Sequence, residues 1–118
     1  MTTEEFVRSF KTQKDEMLKL YFSEPSAVSP SSVSHAGTYI RSLHLTTEQS
    51  VIMRKILNVA LADVFYSILL GLDGCARIGD MEQQSFQIQS EDGSIVCRGD
   101  GILEGLAYKY FHEDNEVT

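Results

Sequence analysis

The 118-residue sequence predicts an α+β domain: a long central helix, flanking N- and C-terminal helices, and a small antiparallel sheet of two to four short strands. The run "VIMRKILNVALADVFYSILLGL" is too long for a strand and carries the apolar content of a core helix. Alternation in "QSFQIQS" and "SIVCRG", on either side of "EDGS", reads as a strand pair through a tight turn. Apolar stripes near both ends of the chain recur at helical spacing. The length suffices for one hydrophobic core and is short for two ordinary domains.

In order along the chain, residues 3–22 form the first predicted helix. Threonines and acids at its start can accept the unpaired backbone N–H groups, and Phe6, Phe10, Met17, Leu18 and Tyr21 mark one apolar stripe. Residues 23–45, "SEPSAVSPSSVSHAGTYIRSLHL", hold both prolines and many serines, which disfavours a continuous helix. A loop is expected there, partly anchored by Val28, Val33, Tyr39, Ile40 and Leu43. The main helix is placed at 47–72. Thr46 and Gln49 fit a capping box, while Gly71 and Gly74 supply its termination. After Lys55 its apolar residues occupy most of the circumference, so it is expected to be buried on more than one side. Short strands follow within 75–98, "CARIG" among them, with Asp92–Gly93 as the hairpin turn. The last helix, at 100–113, is capped by Asp100 and carries Ile102, Leu103, Leu106, Ala107, Tyr110 and Phe111 on its apolar side, with Gly105 marking close packing.

Charge narrows the function classes. The formal net charge is −7, which disfavours nucleic acid and anionic membrane surfaces as partners. Residues 1–58 carry seven basic and six acidic groups, and residues 59–118 carry three and eleven, so the C-terminal half holds the negative charge. A partner with a basic surface would be steered there. The longest apolar run is broken by Asp63 and ends at glycines, short of a clean membrane span. Two cysteines, Cys75 and Cys97, make no disulfide framework and read as reduced, mostly buried thiols of a cytoplasmic protein.

Candidate site residues fall into four groups. Asp63, Tyr66 and Ser67 share one side of the main helix, where the carboxylate either anchors packing through hydrogen bonds or meets a ligand or partner. Asp73 is best placed to satisfy the backbone of its own turn, with Gly74 in an unusual conformation. Asp80, Asp100 and Glu104 would offer paired carboxylates for acid and base work if the strands return beside the main helix. Tyr108 and His112, in the tail "YKYFHEDNEV", combine aromatic area with acidic neighbours, as protein interfaces do; His112 also suits a helix C-terminus. A thiol nucleophile at Cys75 would need His35 or His44 as its base. No EF-hand loop, phosphate-binding loop, HExxH, CxxC or GxSxG pattern occurs, and no metal or cofactor is expected.

The combination of "LADVFYSILLGLDGCARIG", the strand pair through "EDG" and "GILEGLAYKYFHE" resembles small bacterial proteins, some regarded as immunity proteins that neutralise toxins. The likeness spans roughly residues 46–113 and brings no catalytic motif with it. What it implies is a cytoplasmic inhibitor. The residues themselves are compatible with a non-enzymatic acidic protein-binding domain, with a homodimer as a further candidate partner arrangement. The alternatives are a small-ligand or regulatory domain, and a small hydrolase built on the carboxylate cluster.

Overall fold

The computed structural model describes residues 1–23 and 34–116. Three helices pack against one another: α1 (Thr3–Tyr21), α3 (Thr47–Leu72) and α4 (Ile102–Tyr108). A short α2 (His35–Ser42) rests on α1, and a two-stranded antiparallel sheet of β1 (Ile88–Gln89) and β2 (Ile95–Cys97) precedes α4. This is the α+β architecture expected, with the main helix at its expected limits.

Local chemistry explains the limits. The Thr46 hydroxyl accepts the Gln49 N–H at 3.1 Å, and the Gln49 side chain accepts the Thr46 N–H at 2.9 Å, closing the capping box. At the other end Gly74 has φ +80°, a conformation that a Cβ resists, and the chain turns back there. The hairpin turn is where "EDGS" places it: Asp92 Oδ1 accepts the Ser94 N–H at 2.8 Å, and Gly93 has φ +89°.

Several expectations change. The Ser/Pro-rich stretch was expected to lack helix, yet Ser34 caps α2 by accepting the Gly37 N–H at 3.1 Å. Of the proposed anchors, Val28 and Val33 lie outside the described residues, Ile40 is half-buried, and Tyr39 and Leu43 are exposed. "CARIG" forms turns, because its backbone groups serve the end of α3: the Cys75 N–H reaches the Leu70 carbonyl at 3.0 Å. Gly105 is exposed, and a Cβ there would meet nothing, so close packing does not explain it. The last helix begins at Ile102 with Gly101, at φ +88°, in the cap position; Asp100 acts from one residue earlier, accepting the Ile102 N–H at 3.2 Å.

The core is formed by Val7, Ala62, Leu69, Cys97, Leu103, Ala107 and Phe111, with Phe6, Phe10 and Phe65 packed against it. The Phe6, Phe10, Phe65 and Phe111 rings form a continuous chain with centroids 5.0–5.9 Å apart. After α4 the chain widens into a π-helical turn, Lys109–Glu113, closed by the Asp114 N–H on the Lys109 carbonyl. That turn carries Asn115 back to α1.

The largest correction concerns α3. Along most of its length it is buried on one side, where Asn58, Ala62 and Leu69 face the other helices; only near its end is the far side covered, where Ile78 packs on Gly71. On the opposite side Ile52, Ile56, Val59, Val64 and Ile68 are each 47–57 % exposed. By length and composition alone this helix could also cross a membrane, so Asp63 does not shorten it as the sequence suggested.

Replacing Gly105 by alanine is expected to stabilise the protein by about 0.4–1 kcal/mol, since the unfolded chain loses freedom and the folded chain meets no obstruction. Urea denaturation of the variant checks this; a lower midpoint would mean that the position requires glycine.

Candidate interaction surface

Two features of the sequence come together where α3 ends. Asp73 is buried, 2 % exposed, and its Oδ2 accepts the Glu104 N–H at 2.9 Å. Its role is therefore long-range: it supplies the cap that Gly101 lacks, in place of the turn role expected. The other oxygen, Oδ1, lies 4.0 Å from the Cys97 thiol. One carboxylate thus ties the end of α3 to β2 and to the first turn of α4.

On the outer side of that junction, Glu104 Oε1 accepts the Tyr66 hydroxyl at 2.7 Å. Tyr66 meets the His112 ring edge-on, with centroids 4.4 Å apart, and the Tyr108 ring at 6.1 Å; Tyr108 and His112 are 5.1 Å apart. Removal from water, reinforced by the Glu104 carboxylate, pushes the Tyr66 phenol up to about 12. Residues from three of the sequence groups, Tyr66, Glu104, and Tyr108 with His112, form one aromatic and acidic cluster. Tyr108 is 47 % exposed and His112 faces solvent, so the cluster is accessible.

The remaining candidates separate. Asp80 lies on an exposed turn, Asp100 caps α4, and Glu104 bonds Tyr66; among the described residues no hydrogen bond or ion pair joins these three carboxylates. Cys75 is exposed, correcting the expectation that both thiols are buried, while Cys97 is buried. Desolvation, with Asp73 and Glu104 adding to it, raises the Cys75 thiol and keeps it protonated, the opposite of what a nucleophile needs. His44 precedes the start of α3 and Cys75 follows its end, about 39 Å away along a 26-residue helix, so they do not form a nucleophile and base.

Asp63 and Ser67 are both exposed on the uncovered side of α3. Asp63 makes no hydrogen bond or ion pair among the described residues, so it is not the packing anchor considered from sequence. It borders a shallow depression lined by Lys55, Ile56, Val59 and Ala60. Lys55 and Asp63 lie eight residues apart, about 12 Å along the helix, and so cannot converge on one small reactant.

Sequence reasoning missed one polar centre. Lys14 is fully buried on the inner stripe of α1, and its ammonium donates to Asn58 Oδ1 at 2.5 Å and Asn115 Oδ1 at 2.6 Å, with Asp15 Oδ1 at 2.7 Å. All three donors are used. Burial pulls its pKa down, opposed by Asp15. Its spacing, seven residues after Val7 and four before Leu18, was the available signal, since that places it on the apolar stripe.

Substituting Asp73 by alanine is expected to cost about 1–3 kcal/mol, because the Glu104 N–H is left without a partner at a helix start. Equilibrium denaturation measures this; an unchanged midpoint would show that water replaces the carboxylate. The raised Tyr66 phenol has a pH signature. Its folded pKa exceeds the ordinary value of 10, so its contribution to stability is complete below pH 10 and is lost as pH rises toward about 12. Denaturation midpoints of wild type and Tyr66→Phe between pH 9 and 12 should show a steeper fall for wild type; parallel curves would mean that the hydroxyl is not held.

Compared with protein-family models, with curated proteins and with solved structures, the chain matches none, so its function is argued from its own surfaces.

Proposed function

We propose that this chain is a non-enzymatic protein-binding domain that acts through the uncovered face of α3. The observation that carries the reading is the exposure of Ile52, Ile56, Val59, Val64 and Ile68 on one side of a helix whose other side is packed. Together they leave on the order of 500 Å² of apolar side chain in contact with water, at the upper end of what a monomer keeps without a use for it. Such a face gains free energy by being covered, and the shallow depression on it offers area for a protein surface without enclosing a small molecule.

A second surface favours a second reading. The Tyr108 and His112 pair is followed by Glu113, Asp114 and Glu116, all exposed. Aromatic area beside negative charge suits a basic partner, as an immunity-type inhibitor of a toxin would require. The net charge of −7 supports a protein partner over nucleic acid or an anionic membrane, and the two free thiols fit a reducing cytoplasm.

Ile56→Asp combined with Val64→Asp tests the principal reading. The expected result is an unfolding free energy within about 0.5 kcal/mol of wild type, because both side chains are exposed, together with loss of cross-linked adducts formed in source-cell lysate. Loss of more than about 2 kcal/mol would show instead that the face belongs to the chain's own core.

A further inference from the structure

The occupant of the α3 face can be argued from its two charges. Resting on the reading that this face is a protein interface, we propose that it pairs with the same face of a second copy of the chain, antiparallel, about a two-fold axis near Val59. Lys55 and Asp63 stand four residues before and four residues after Val59. In an isologous antiparallel pair, a residue a given number of positions before the axis meets the residue the same number after it on the partner. Lys55 of each copy therefore meets Asp63 of the other, twice per dimer.

The monomer leaves both charges without that option. Each is exposed, and among the described residues neither takes part in an ion pair. An Asp at the edge of an apolar contact is costly to cover unless a cation comes with it. A parallel pair would set Lys55 against Lys55 and Asp63 against Asp63, so opposite charges select the antiparallel arrangement. The depression lined by Lys55, Ile56, Val59, Ala60 and Asp63 is centred on the proposed axis. In this register Ile52 of one copy lies toward Tyr66 of the other. The contact runs from Ile52 to Tyr66, about 21 Å of helix with Val64 and Ile68 turned away from it, and so buries at most roughly 1,000 Å² in total, the lower limit of a specific interface. A dimer of moderate affinity follows, governed by concentration.

Sedimentation equilibrium of the purified full chain tests this with Lys55→Glu, Asp63→Lys and the double variant. Wild type is expected to dimerise, and each single variant to dimerise at least about tenfold more weakly, because like charges then face each other twice. The double variant is expected to recover to within about threefold of wild type, and an equimolar mixture of the two single variants to form a heterodimer. A wild-type chain that stays monomeric to about 100 μM would overturn the proposal, as would a double variant no tighter than the singles. The face reading is separable from this result. A monomer whose lysate adducts still vanish with Ile56→Asp and Val64→Asp has a different protein as its occupant. A monomer that instead floats with phosphatidylcholine vesicles covers the face with lipid, and both outcomes reject the self-association.

Discussion

The buried carboxylate of Asp73 is the constraint on which the lower half of the molecule depends. A helix start leaves N–H groups without partners, and Gly101 has no side chain to serve them. Asp73 meets one of those groups from the end of a different helix, and the same side chain lies beside the Cys97 thiol. Its position fixes where α4 begins relative to α3. That start in turn places Leu103, Ala107 and Phe111 inward and leaves Glu104 directed at Tyr66. The outer cluster of Tyr66, Tyr108 and His112 is thus a consequence of an inner cap.

Lys14 holds the α1 side in a comparable way. A fully buried ammonium needs every proton satisfied, and here Asn58 from α3, Asn115 beyond the π-helical turn and Asp15 supply the acceptors. The wide turn follows from the same need. Its five residues place Phe111 in the core and return Asn115 to α1, giving the C-terminal segment a fixed path. Both polar centres join elements distant in sequence and so specify how the helices dock, while the apolar contacts supply most of the driving force.

What the sequence made legible was local, and what it hid was long-range. The limits of α3 follow from Thr46, Gln49 and Gly74, each acting within a few residues of itself, and the hairpin follows from Asp92 and Gly93 in the same way. The partner of Asp73 lies 31 residues away, and two of the three acceptors of Lys14 lie 44 and 101 residues away. Composition misled at α2, where Ser34 serves as a cap inside a stretch whose serines suggested only loop. It also misled at α3, because apolar residues around a helix show how much surface could be buried without showing which neighbours exist to bury it. The core is closed on one side of α3 by α1 and α4, and on the other Ile52, Ile56, Val59, Val64 and Ile68 stay exposed, with Ile78 covering only the end of the helix at Gly71.

Asp63 began as an isolated acid in an apolar run, and its surroundings give it a meaning that packing alone does not. A purely apolar face of this length would tolerate parallel, antiparallel and shifted pairings almost equally, since hydrophobic contact has little directional preference. One cation and one anion placed evenly about Val59 remove that degeneracy: only an antiparallel register centred near Val59 joins unlike charges on both sides. The charges weaken the contact relative to an all-apolar face, because each must be partly desolvated. In exchange they define a single arrangement, as a lone polar residue does in a coiled-coil seam.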